Sequence, residues 1–126
     1  MATESHVQFD VSKSLNIILA SDPSLVDLHS DIIVDGILGT GISGKIREPY
    51  SSAIDVINRS RAFKLAVDVP SGMDPDSGNV EDKCAKANVT ITYHKMKIGM
   101  PKNLDMCGKI VVEKIGIPPE AEVGVI

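Results

Sequence analysis

The stretch from Asp31 to Gly72 decides what this chain can fold into. Asp31-Ile32-Ile33-Val34-Asp35-Gly36-Ile37-Leu38 is an apolar, β-branched run of the kind a sheet buries on both faces. Gly39-Thr40-Gly41-Ile42-Ser43-Gly44 follows at once. A helical pattern runs from about Glu48 to Ser60, and Phe63-Lys64-Leu65-Ala66-Val67-Asp68-Val69 is a second apolar strand, closed by Pro70-Ser71-Gly72. Two strands joined by a helix are almost always parallel, with a right-handed crossover. Both glycine turns then stand at the carboxyl ends of neighbouring strands, where open α/β sheets bind ligands. The stretch therefore predicts an α/β fold around a mostly parallel sheet.

The rest of the chain is read outward from this unit. Pro49 suits the first turn of the crossover helix, where its missing N–H is not needed. Tyr50, Ala53, Ile54 and Ile57 share one helical face that can pack on the sheet. Met73-Asp74-Pro75-Asp76-Ser77-Gly78-Asn79 is dense in turn formers and reads as an exposed loop. Lys83 to Ala87 reads as a short helix, Asn88 to Tyr93 as a third strand and His94 to Gly108 as a long loop. Lys109 to Ile115 is a fourth strand, ended by Gly116-Ile117-Pro118-Pro119. Upstream, Val7 to Asp10 alternates like an edge strand. Lys13 to Ala20 has a weak helical pattern through Leu15, Ile18 and Leu19, and Leu25 to Leu28 reads as one helical turn. The expected organisation is an amino-terminal segment over 1–30, an α/β domain over 31–121 and a tail over 122–126.

Composition narrows the function classes. A chain of 126 residues is one domain with a modest core. No stretch approaches the 18 or more apolar residues of a membrane span. The amino end has no secretory pattern, which leads us to expect a cytoplasmic protein. A net charge of −4, 3% aromatics and no Trp argue against nucleic acid. Cys84 and Cys107 make no metal-ligand spacing and read as free thiols.

The chemistry gathers on the two turns. Gly39-Thr40-Gly41-Ile42-Ser43-Gly44 matches G-x-G-x-x-G after a strand, a turn whose N–H groups can approach a phosphate and which aims a helix N-terminus at it. The alternative is a glycine turn made only for tight strand–helix packing. Asp68 closes the next strand, near where a dinucleotide-binding fold puts its ribose-binding acid. Asp35 and Asp68 leave the same edge of adjacent strands and could face one cleft. Burial would raise a carboxyl pKa and suit acid–base work near neutral pH. Asp35, Ser71 and turn carbonyls are hard oxygen ligands for an alkali or alkaline-earth ion, not for zinc. His94 reads as an exposed loop residue. Lys95 and Lys97 read as a solvated loop face, with phosphate contact as the alternative.

These residues also carry a resemblance. Asp35 to Gly44, then Ala66-Val67-Asp68-Val69-Pro70-Ser71-Gly72-Met73-Asp74, resemble the two central motifs of the YjeF N-terminal domain family. Ala87 to Tyr93, Lys97-Ile98-Gly99, Gly108 to Val112 and Ile115 to Pro118 fit the same pattern, so the resemblance covers about Asp31 to Ala121. It implies a Rossmann-like three-layer sandwich and an NAD(P)H-hydrate epimerase, an isomerase that interconverts the R and S forms of hydrated NADH or NADPH for repair by a partner dehydratase. It further implies a homo-oligomer and a bound potassium ion. Matched by position, Asp68 resembles the substrate-contacting acid and acid/base, Asp35 and Ser71 the potassium ligands, and Gly39, Thr40, Gly41, Ile42, Ser43, Gly44 and Lys45 the loop that holds the substrate phosphates. The family's earlier strand and its Asn-Asn-Gly-Gly-Asp-Gly turn, which adds a potassium ligand, have no counterpart in Met1 to Ser30. The alternative function is therefore a non-catalytic interaction module that keeps the fold, as in relatives that act as scaffolds.

Overall fold

The computed structural model describes residues 30–41 and 43–122. The upstream strand and helices read from the sequence, Ile42, and most of the 122–126 tail lie outside the described residues. Four strands form one sheet in chain order: β1 (Ile32–Asp35), β2 (Phe63–Val67), β3 (Val89–Tyr93) and β4 (Lys109–Glu113). Every neighbouring pair is parallel, with Val34 opposite Leu65, Ala66 opposite Thr90 and Ile91 opposite Val111. The crossover from β1 to β2 is helix α1 (Tyr50–Arg59). The four strands, their parallel pairing and the helical crossover from β1 to β2 are as the sequence predicts, and the fold is α/β and Rossmann-like.

Strand ends differ from the sequence reading, and side chains explain why. β1 stops at Asp35 rather than Leu38, because the Asp35 carboxylate takes the Ile37 N–H and the Ser71 hydroxyl oxygen takes the Leu38 N–H. Those amides are no longer available to a ladder. β2 stops at Val67, since Asp68 adopts φ 68° and Val69 donates back to the Val67 carbonyl. The short helix read at Lys83–Ala87 is not formed. Its amides go to distant acceptors instead: Ala85 to the Ser71 carbonyl, Lys86 to Asn58 Oδ1 and Ala87 to the Met106 carbonyl. Within the long loop after β3, a 3-10 turn (Met100–Lys102) and helix α2 (Leu104–Cys107) form.

One sheet face is well covered. Ile54 and Ile57 of α1, with Ile46 and Ala85, pack against Ile33, Ile37 and Leu38. Val69, Met73, Cys84, Met100 and Cys107 form a second cluster against Ile110. Tyr50, read as part of the packing face of α1, is exposed instead, and Val56 is buried. Burial on both faces of β1 is not seen, since Ile32 and Val34 are exposed on the side opposite α1.

Cys84 and Cys107 are buried free thiols, as read from their spacing. Burial pushes the Cys84 thiol up to about 12, with the Asp35 charge adding to it, and burial pushes Cys107 up to about 11. The thiolate is the reactive form. Both thiols are expected to resist an aromatic disulfide reagent in the native chain and to react together once urea unfolds it. Rapid reaction of either under native conditions contradicts this packing.

Candidate active site

Asp35 ends β1 only 2% exposed, and its carboxylate crosses to the Pro70-Ser71-Gly72 turn. Oδ1 accepts the Ser71 hydroxyl at 2.5 Å and the Ile37 N–H at 3.3 Å, and Oδ2 accepts the Ser71 N–H at 2.8 Å. Ser71 Oγ accepts the Leu38 N–H at 2.9 Å. One carboxylate and one hydroxyl thus fasten the end of β1 to the turn after β2, so the two glycine turns lie side by side. Gly72 sits at φ 102°, and a Cβ there would run into the Lys83 carbonyl, so this turn requires glycine. Among the described residues no Lys, Arg or His pairs with Asp35.

Asp68 stands at the same edge on β2. Its left-handed φ lifts the side chain toward β3, where Oδ1 accepts Thr92 Oγ1 at 2.9 Å, the Tyr93 N–H at 3.3 Å and Lys97 Nζ at 3.0 Å. Oδ2 accepts no hydrogen bond from the described residues. Partial burial would raise the Asp68 carboxyl, but the Lys97 ammonium, the Thr92 hydroxyl and the Tyr93 N–H outweigh it and hold it below the usual value. This corrects the expectation of a raised pKa: Asp68 is a carboxylate at neutral pH, able to accept a hydrogen bond or a proton.

The glycine loop is exposed on one side and closed on the other. Gly39, Thr40 and Gly41 are exposed, and their N–H groups have no backbone partner among the described residues. A hollow of about 220 Å³ lies between Leu38, Gly41, Ser43, Lys45, Arg47 and Tyr50, with two cationic side chains at its wall. The last glycine does not open the helix, as Arg47-Glu48-Pro49 already indicates in the sequence. Lys45 to Pro49 intervene, and α1 starts at Tyr50. The far side of the loop is closed by acids: the Gly44 N–H donates to Glu81 at 2.5 Å and the Ile46 N–H to Asp82 Oδ2 at 2.9 Å. The amides of Gly39, Thr40 and Gly41 are not part of this acid clasp. Replacing Glu81 by Gln and Asp82 by Asn together should speed amide exchange at Gly44 and Ile46 by about tenfold, the scale of one charge-assisted hydrogen bond. Unchanged exchange at both amides would show that the clasp does not hold the loop.

The sequence reading missed Thr92, Glu81 and Asp82, and it read Lys97 as a solvated lysine or a phosphate contact rather than as the partner of Asp68. Thr90 and Thr92, two apart on a strand and both fully buried, were the legible signal, because a buried hydroxyl must have a partner. Lys97 is not a solvated lysine. Besides Asp68 it donates to the Tyr93 carbonyl at 3.2 Å and the Lys95 carbonyl at 3.3 Å. His94 and Lys95 turn away to Glu122.

Comparison with known proteins agrees with this geometry. The family model described as YjeF-related protein N-terminus matches residues 1–99, reaching further toward the amino end than the motifs do. A protein named NAD(P)H-hydrate epimerase from Nitrosopumilus maritimus is 58% identical over 100 residues, covering 79% of this chain and 46% of the relative. One of the same name from Cenarchaeum symbiosum is 57% identical over 96 residues, covering 76% and 45%. A bifunctional NAD(P)H-hydrate repair enzyme Nnr from Archaeoglobus fulgidus is 51% identical over 96 residues, covering 76% of this chain and 20% of the relative. The chain spans about half the length of the first two relatives, and less of the bifunctional one.

Proposed function

We propose that this chain, which belongs to the YjeF-related protein N-terminus family, carries the Asp68 half of an NAD(P)H-hydrate epimerase site. The observation that supports this best is the pairing of turns. The Asp35–Ser71 clamp sets the glycine loop beside a carboxylate whose Oδ2 takes no hydrogen bond from the described residues. The phosphates of hydrated NADH or NADPH would lie over Gly39–Gly41 and Ser43, with Lys45 and Arg47 supplying positive charge. The hydrated ring would then face Asp68. Changing R to S at the hydrated carbon needs a proton moved at the ring or its hydroxyl. Ionised Asp68 can take that proton, and once protonated can return it.

The donor set at the clamp suits a monovalent cation. Asp35 is a buried carboxylate with no cationic partner among the described residues, and Ser71 adds a hard hydroxyl oxygen. A potassium ion held by Asp35 and Ser71 would offset the buried charge and draw substrate phosphate to this edge. Three hydrogen bonds occupy three of the roughly four lone-pair positions of Asp35, which leaves room for one further contact. The bifunctional repair named for some relatives suits a second repair activity such as a dehydratase as partner, and the reading includes a homo-oligomer working in the cytoplasm. No helix of the described residues is long and apolar enough to cross a membrane. The retained Asp35, Asp68 and Ser71 favour the enzyme over a scaffold. The test is conversion of R- to S-hydrated NADPH by the full chain, followed by chromatography in potassium and in a large organic cation. Acceleration above the spontaneous rate, greater in potassium, is expected. A rate equal to the spontaneous one would overturn the proposal.

A further inference from the structure

We propose that Lys97 is the positioning residue of this site: its ammonium, pinned by two backbone carbonyls, engages one oxygen of Asp68 and leaves the other, Oδ2, as a fixed acceptor for a substrate hydroxyl. The inference rests on the epimerase reading for its substrate but not for its geometry. An ammonium has three donors, and Lys97 spends them on the Tyr93 carbonyl, the Lys95 carbonyl and Asp68 Oδ1. The two carbonyls come from the tight turn after β3, where His94 takes φ 67° and the Lys95 N–H closes on the Tyr93 carbonyl. The lysine is thereby fixed by the backbone, and its side chain is only 28% exposed. Thr92, fully buried, presents its hydroxyl to the same Oδ1. The Lys97 ammonium, the Thr92 hydroxyl and the Tyr93 N–H all reach Asp68 at Oδ1, so turning the carboxylate breaks these contacts, and Oδ2 takes no hydrogen bond from the described residues.

Other charges near this edge are engaged elsewhere. Asp35, at the end of β1, is taken by Ser71 and Ile37. His94 and Lys95 pair with Glu122. Glu113, in register with Tyr93, is exposed. Among the described residues, Lys97 is thus the cation that pairs with Asp68. Its role is to hold the Asp68 carboxylate in one orientation, and its charge lowers the Asp68 midpoint further below neutral.

The test is a carbon-detected NMR titration of the Asp68 carboxyl in the full chain, compared with Lys97→Met, Lys97→Arg and Thr92→Val. An opposite charge in contact lowers a carboxyl midpoint by roughly 1–3 pH units, so Lys97→Met should raise it by about that much. Lys97→Arg keeps the charge and should stay near the parent, and Thr92→Val should move the midpoint in the same upward direction by less. In turnover, the acid limb of kcat/KM should move upward with the same midpoint in Lys97→Met and return in Lys97→Arg, a pattern that a merely structural lysine would not give. An unmoved Asp68 midpoint in Lys97→Met overturns the proposal. If Lys97→Met fails to fold, Lys97→Gln takes its place, and an unmoved Asp68 midpoint in that variant overturns the proposal. A parent that never epimerises hydrated NADPH would remove the epimerase reading, while the titration still decides the part Lys97 plays.

Discussion

Replacing Asp68 by Asn is expected to slow R-to-S conversion of hydrated NADPH by roughly 10²–10⁴-fold, the usual worth of a positioned acid–base group. The amide is nearly isosteric with the carboxyl, and its oxygen can still accept from Thr92 and Tyr93, so the fold should hold. What is lost is the charge that meets Lys97 and the capacity to take a proton at Oδ2. Because the Asp68 carboxyl is held low, the parent should run at a flat rate through neutral pH and lose activity only as acid protonates it. The same sign governs its part in stability. A depressed carboxyl contributes stability that is complete above its unfolded-state pKa and is lost as pH falls through the folded value. Asp74 and Asp76 in the neighbouring loop should tolerate the same change with little effect on rate. An Asp68→Asn variant that keeps the parent rate would end the assignment of Asp68 as the acid–base group.

Asp35→Ala is expected to be the most destabilising single change at this edge, lowering stability by about 3–5 kcal/mol, because it strips the partners from a buried polar network. The Ser71 N–H, the Ser71 hydroxyl and the Ile37 N–H all lose their acceptor, and the two turns lose their link. Small domains hold only about 5–15 kcal/mol in total, so the urea midpoint should fall steeply. A loss below about 1 kcal/mol would contradict the clamp, since that is the worth of a single ordinary hydrogen bond. The same measurement bears on the ion. If potassium binds at Asp35 and Ser71, the parent should be more stable in potassium than in a large organic cation, by mass action on the folded state, and Asp35→Ala should not distinguish the two salts. Equal parent stability in both would exclude a potassium site here.

Much of this could be read from the residues, and the exceptions have a common cause. The parallel order of strands follows from apolar runs joined by a helix, which is a local signal of length and periodicity. The placing of both turns at one edge follows from the parallel direction that a helical crossover gives β1 and β2. Strand ends were misplaced because Asp35 and Ser71 compete for the amides of Ile37 and Leu38, a contact across 33 or 36 residues that no window of sequence contains. The helix read at Lys83–Ala87 failed for the same reason, its amides being claimed by Ser71, Asn58 and Met106. The Asp68 pKa was misjudged in direction. Burial was foreseen, but Lys97 comes from a loop whose path depends on the turn at His94, and a positive φ there has no sequence signal in a histidine. The resemblance carried the roles of Asp35, Asp68 and Ser71, and the geometry supplied what surrounds them.

The most direct test of the central claim, that the two turns make one binding site, is an amide NMR titration of the full chain with hydrated NADPH. Shifts are expected together in Gly39–Gly41 and in Asp68–Gly72, saturating at a single affinity, with the amides of Lys64 and Asn88 at the opposite edge unmoved. Shifts confined to one turn, or centred on Lys64 and Asn88, would contradict it.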